Sequence, residues 1–86
     1  MTEIKEREHL QKAERHIAER RGLISIQKHR IEDMQKGGHN AAGSIALLRE
    51  LEASLRSMIN DRDVLARRLK RREQLHGAEK VPPSRR

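Results

Sequence analysis

The four residues Gly37-Gly38-His39-Asn40 lie near the middle of an 86-residue chain, between two segments with helical periodicity. Glycine adopts the left-handed conformation of a helix C-cap without a steric penalty, so Gly37-Gly38 predicts the end of a helix. Asn40 is a favourable N-cap, because its side-chain oxygen accepts hydrogen bonds from the first free amides of the next helix. A helix end followed so closely by a helix start requires the chain to reverse. The two helices are therefore predicted to be antiparallel.

Each segment alternates steps of three and four residues between mostly apolar positions, which is the spacing of a coiled-coil seam. In the first segment these positions are Leu10, Ala13, Ile17, Arg20, Ile24, Gln27, Ile31 and Met34. In the second they are Leu48, Leu51, Leu55, Met58, Arg62, Leu65 and Leu69. The predicted fold class is all-α, an antiparallel two-helix hairpin that resembles a coiled coil.

The predicted boundaries follow from the caps and from glycine and proline. We expect a hairpin domain over residues 1–77, with helices over about 3–36 and 41–76 and a turn at 37–40. Gly77 is a natural helix end, and Pro82-Pro83 cannot continue a helix, so residues 78–86 are predicted to be a disordered basic tail.

Side-chain pairing adds two expectations. Oppositely charged residues at the helical spacing of four support the first helix. These pairs are Glu3/Arg7, Glu8/Lys12, Lys28/Glu32 and Glu32/Lys36. The polar seam residues Arg20, Gln27 and Arg62 are interpreted as selectors of register and partner. In that register Ile24 is expected near Leu51 or Leu55, and Leu10 near Leu65 or Leu69.

The apolar stripes are wider than a two-helix seam requires. The chain has no aromatic residue and no cysteine, so its core depends on aliphatic side chains without disulfide support. A bundle needs about three apolar positions per heptad, whereas a two-stranded coil needs two. The extra positions predict a second contact, most simply a homodimer that forms a four-helix bundle. The candidate self-association residues are Leu23, Ile26, Leu47, Ile59 and Val64.

Positive charge is concentrated towards the C-terminus. Residues 62–86 carry nine Lys and Arg against three Asp and Glu, and the whole chain has a formal net charge of +7. Such a cluster can bind the phosphates of a nucleic acid or another acidic surface. Alternatively, it complements the helix dipole and balances the acidic start of the first helix. No aromatic side chain is present to stack on a base. The candidate anion or nucleic-acid patch is Arg67, Arg68, Lys70, Arg71 and Arg72.

No pattern in the sequence indicates catalysis, cofactor binding or a metal site. His9 and His16 are two helical turns apart, about 10 Å, which is too far for one ion. Gly37-Gly38 lacks the lysine and the strand of a phosphate-binding loop. We therefore predict that the protein is not an enzyme and has no cofactor. No apolar run approaches the ~20 residues that span a bilayer, and no signal-peptide pattern is present, so a cytoplasmic location without membrane contact is expected.

Several short segments carry a resemblance to a known group of proteins. These are Ala13-Glu14-Arg15-His16-Ile17-Ala18-Glu19, Gly38-His39-Asn40, Leu47-Leu48 and Asn60-Asp61-Arg62-Asp63. In this order they resemble the short uncharacterised helical-hairpin proteins of rhizobia and related alphaproteobacteria, over residues 9 to about 69. Asn40 departs from that pattern, which usually has Asp, but keeps the capping chemistry. The resemblance implies a helical hairpin of bacterial origin and no functional site.

Two hypotheses for function follow. The first is a small structural or interaction protein that self-associates through helical packing and also docks a protein partner. The alternative is a small basic helical bundle that binds nucleic acid, with an affinity that falls steeply with salt.

Overall fold

A computed structural model describes the backbone of residues 2–80 and the side chains of residues 4–75. It contains two helices, α1 (Thr2–Lys36) and α2 (Ala42–Lys80), which pack against each other as an all-α hairpin. The predicted fold class is therefore confirmed. Within the described residues, neither helix has a stretch long and apolar enough to cross a membrane.

Burial in α1 follows the predicted seam closely. We label the seam positions a and d of a heptad, so that Ile17, Ile24 and Ile31 occupy a, and Gln27 occupies d. These four residues are buried, and the remaining seam residues from Leu10 to Met34 are half-buried. All other described side chains of α1 between residues 10 and 36 are exposed. The aliphatic side chains of this single stripe therefore form the α1 half of the core.

In α2 the covered stripe is wider. Leu69 at position a is buried, and the other seam residues from Leu48 to Arg72 are half-buried. The adjacent e positions from Ile45 to Ala66, which include Ile59, are also half-buried. By contrast, Leu47 at a g position is exposed. Helix α1 therefore covers the seam and the e side of α2 more fully than its g side.

The turn has the chemistry that the sequence predicts. Gly38 has a φ of 75°, and its amide donates to the carbonyl oxygen of Gln35 at 3.1 Å. The amide of His39 donates to the carbonyl of Met34 at 2.8 Å, which completes a Schellman motif. The side-chain oxygen of Asn40 accepts from the amide of Ala42 at 3.0 Å, and Ala41 is buried. The chain therefore reverses over five residues that satisfy the backbone groups at both helix ends.

Contacts between the helices define the register. Glu14 lies within ion-pair distance of Arg62 at 4.0 Å, and Glu6 pairs with Arg72. Leu10 is midway between these two glutamates. It therefore lies level with the middle of the segment from Arg62 to Arg72. Leu65 and Leu69 flank that middle, which agrees with the expected position of Leu10.

Some predicted details are wrong. Helix α2 continues through Gly77 and ends at Lys80, so the helix extends four residues beyond its predicted end at about residue 76 and into the predicted tail. A glycine weakens a helix but ends it only where it leaves the helical conformation. Residues 81–86, the rest of the predicted tail, lie outside the described part of the chain.

The ion pairs within α1 also differ from expectation. Among the described side chains, Glu8/Lys12, Lys28/Glu32 and Glu32/Lys36 do not approach within 4.0 Å, and the Glu3 side chain lies outside this part. Arg7 pairs instead with Glu73 on α2. A partner on the facing helix competes with a partner one turn away, and spacing along one helix does not reveal that competition.

A candidate self-association face

Six large apolar side chains are exposed in the described part of the chain, and most of them share one face of the hairpin. Counting from the seam, Leu23, Leu47 and Leu75 occupy g positions, while Ile26 and Val64 occupy c positions. On a heptad, g and c adjoin each other on the same flank of the helix. The sixth residue, Ile4, occupies a b position on the opposite flank. We call the g and c positions of both helices the gc face.

The two g/c flanks lie on the same side of the hairpin because the helices are antiparallel. The ion pair between Arg7 and Glu73 joins two e positions, which places the e flanks of both helices together along one edge. The g flanks of both helices must then lie together on the opposite face of the hairpin. A shallow groove of about 250 Å³ on that side shows the same arrangement, since residues of both helices line it. These residues are His16, Glu19, Arg20, Leu23 and Met58.

The gc face contains four of the five side chains that the sequence predicted for self-association. Leu23, Ile26, Leu47 and Val64 are exposed on it. Ile59 is different, because it occupies an e position and is half-buried where α1 covers α2. The structure therefore does not place Ile59 with the other four, and its role is in the hairpin itself.

Leu75 belongs to the gc face although the sequence reasoning missed it. Its side chain is 59% exposed, as much as that of any described large apolar residue. The signal was present in the heptad, since Leu75 follows Leu47 by four whole repeats. The apolar stripe predicted from the sequence ends at Leu69 and therefore does not include Leu75.

The candidate basic patch divides into three parts in the structure. Arg72 occupies a seam position and pairs with Glu6, whose side chain is only 14% exposed. Arg67, Arg68 and Arg71 line a groove of about 230 Å³ together with Val64. Lys70 is exposed at a b position, on the flank of α2 that faces away from this groove. Arg72 therefore stabilises the hairpin. This agrees with the alternative in which the basic segment balances the acidic start of the first helix.

The described residues also include the histidine, aspartate, glutamate and serine side chains that metal binding or catalysis would require. Among the described residues, no three His, Cys, Asp or Glu side chains converge as ligands for one ion. His29 lies with its Nδ1 3.0 Å from the carbonyl oxygen of Ser25, one turn earlier in α1. Ser54 and Ser44 direct their hydroxyl groups to the sulfur atoms of Met58 and Met34. These three polar groups therefore have partners within the hairpin, and the gc face is the candidate functional surface.

Comparisons with protein-family models, curated proteins and solved structures found no match for this chain. The function proposed below therefore rests on the exposed residues of the hairpin and their chemistry.

Proposed function

We propose that the protein is a small interaction module that self-associates through its gc face and, as an assembly, docks a protein partner. The observation that carries this proposal is that five of the six exposed large apolar side chains of the described residues lie on one flank of the hairpin. Single exposed apolar residues are ordinary on protein surfaces, but a shared face is typical of an interaction site.

Helix packing supports a second copy as the occupant of this face. Two layers of paired helices, each with one apolar flank, form a four-helix bundle when those flanks meet. Each half-exposed Leu or Ile that becomes buried contributes on the order of 1 kcal/mol. A chain with no aromatic residue and a single covered stripe gains more from such a contact than a domain with a large core would.

The direct test is sedimentation equilibrium of the full chain at micromolar concentration. We expect a mass of twice the 10.0 kDa chain, in exchange with monomer on dilution. The variant Ile26→Lys is expected to shift the equilibrium to monomer, because it places a charge in the contact. Ile4→Lys is the matched control, since the two side chains are 56% and 59% exposed but only Ile26 lies on the gc face.

Two results would contradict the proposal. One is a monomer mass for the unaltered chain at these concentrations. The other is an equal effect of Ile26→Lys and Ile4→Lys on the dimer. Far-UV circular dichroism of both variants distinguishes loss of association from loss of the helices.

A second candidate function is nucleic-acid binding through the basic groove. The specific observation in its favour is that Arg67, Arg68 and Arg71 lie together around one groove, and none of the ion pairs among the described side chains involves them. Three neighbouring guanidinium groups suit phosphate oxygens, which accept paired hydrogen bonds from arginine.

Titration with duplex DNA and with structured RNA at two salt concentrations tests this second function. Binding is expected to weaken steeply with salt, and Arg67→Gln with Arg71→Gln is expected to reduce the salt slope by about two. Arg15→Gln with Arg21→Gln is the matched control, because it removes the same charge from exposed positions on α1. The absence of binding at low salt would exclude the function.

A further inference from the structure

The charges on the gc face are segregated along the length of the hairpin. Its open half, formed by residues 5–16 of α1 and 62–75 of α2, carries four cations at g and c positions and no carboxylate. Towards the turn the same positions carry four carboxylates and one arginine, Arg30, and two of these carboxylates, Glu19 and Asp61, lie near the middle of the hairpin. The cations are Lys5, Lys12, Arg68 and Arg71. The carboxylates are Glu19, Asp33, Glu50 and Asp61.

The contacts inside the hairpin leave these charges unused. The ion pairs among the described side chains involve Glu6, Arg7, Arg72 and Glu73 at the open end, and Glu14, Arg62 and Asp63 nearer the middle. All eight charged side chains of the segregated sets are exposed. The face is therefore dipolar and available to a partner with the opposite order of charge.

We propose that a second copy of this chain supplies that partner, with its turn end over the open end of the first copy. This inference rests on the proposed self-association and adds its orientation. Two hairpins can meet face to face about a twofold axis in two ways. An axis along the hairpin puts both turns at one end, so that the cationic half lies over the cationic half. An axis across the middle of the hairpin reverses one copy, and each cationic half then lies over the turn half of the other copy, where Asp33 and Glu50 lie.

The reversed arrangement also matches particular residues. It stacks α1 on α1 and α2 on α2, so positions equidistant from the axis meet. We place the axis level with Glu19, the middle residue of α1. Lys5 and Asp33 are equally far from Glu19 in opposite directions, so Lys5 of one copy lies over Asp33 of the other. Arg20 lines the same groove as Glu19 and offsets that carboxylate near the axis. In the alternative arrangement Lys5 lies over Arg71, and like charges repel.

On α2 the same reversal places the exposed apolar side chain of Leu47 against the aliphatic part of an arginine side chain. The axis crosses α2 at the point level with Glu19. Leu47 and Arg68 lie equally far from this point in opposite directions, so Leu47 of one copy meets Arg68 of the other. The aliphatic part of an arginine covers an apolar neighbour while its head group stays in water. The exposed Leu47 and the unpaired Arg68 thus become mutual partners.

Crosslinking of single-cysteine variants tests the orientation, since the natural chain has no cysteine. His9→Cys and Arg30→Cys both alter exposed g positions of α1, and these positions meet only in the reversed dimer. The two variants are mixed in denaturant, refolded together and treated with a short thiol-specific crosslinker. We expect a mixed covalent dimer from the mixture and none from either variant alone. Ser25→Cys, at an exposed b position, is the control that does not crosslink.

The outcomes separate the orientation from the self-association. Crosslinked dimers from each variant alone would overturn the reversed orientation, and so would a sedimenting dimer that gives no mixed crosslink. A monomer mass for the unaltered chain would instead remove the proposed function itself. A charge swap supplies an independent check, because Asp33→Lys should weaken the dimer and the further change Lys5→Asp should restore it. Failure of the double variant to recover would also overturn the orientation.

Discussion

The side-chain amide of Gln27 in α1 donates a hydrogen bond at 2.8 Å to the carbonyl oxygen of Ser44 in α2, 17 residues later in the sequence. Gln27 is only 3% exposed and is the single buried polar residue among the described side chains. A polar group buried in a seam is satisfied only when its partner is opposite, so a shift of either helix leaves it unpaired. This contact therefore fixes the register of the helices near the turn.

Gln27→Ala is expected to lower the free energy of unfolding by about 1–2 kcal/mol, through loss of the hydrogen bond and of buried packing. Gln27→Leu is expected to raise it, because an apolar side chain suits a seam position better at the expense of register specificity. Thermal unfolding followed by circular dichroism measures both changes. Gln35→Ala, at an exposed e position, should alter stability by less than about 0.5 kcal/mol. A smaller effect at Gln27 than at Gln35 would contradict the role given to the buried amide.

Two glycines are expected to respond to alanine with opposite signs. Gly38 has a φ of 75°, where a side chain is strained, so Gly38→Ala should destabilise the hairpin by about 1 kcal/mol. Gly22 lies in the middle of α1, where an added methyl group would meet no atom within 4 Å apart from the backbone of its own helix, so Gly22→Ala should stabilise it by up to about 1 kcal/mol. Chemical denaturation of both variants measures the difference. Changes of the same sign would contradict the capping role of Gly38.

Asn40 caps the start of α2 through its bond to the amide of Ala42. Asn40→Ala is expected to cost about 1 kcal/mol, because that amide loses its acceptor, whereas Asn40→Asp should keep most of the stability. Denaturant midpoints of the two variants give the comparison. Equal destabilisation by alanine and aspartate would show that the side-chain oxygen is not the stabilising group.

The two ion pairs at the open end are expected to differ in strength. Glu6 and Arg72 occupy facing seam positions, with side chains 14% and 32% exposed, whereas Arg7 is 57% exposed. Solvent screens the more exposed pair, so a double-mutant cycle should give a coupling of about 1 kcal/mol for Glu6 and Arg72. The coupling of Arg7 and Glu73 should be about 0.3 kcal/mol and should vanish in high salt. The cycle requires alanine variants of each residue singly and together.

The elements that rest on local chemistry were predictable from the sequence. The reversal depends on Gly38 and Asn40, and the α1 seam depends on a heptad whose isoleucines leave little choice of buried stripe. The helix end at Gly77 was not, because the cost of one glycine does not determine whether a helix stops there. The position of Ile59 depends on which flank of α2 is covered by α1. The apolar stripe of α2 alone does not show which flank is covered. The heptad positions of both helices, taken together, do show it.

The five-residue connection between the helices has a consequence for the order in which the hairpin forms. Contacts near the turn close short loops, and the contact of Gln27 with Ser44 is among the first that chain entropy permits. The pair of Arg7 with Glu73 closes a loop of 66 residues and becomes accessible only after the intervening turns have joined. Such a topology favours rapid folding that propagates outward from the turn. Substitutions at Gly38 should then slow folding, while substitutions at the open end should mainly speed unfolding.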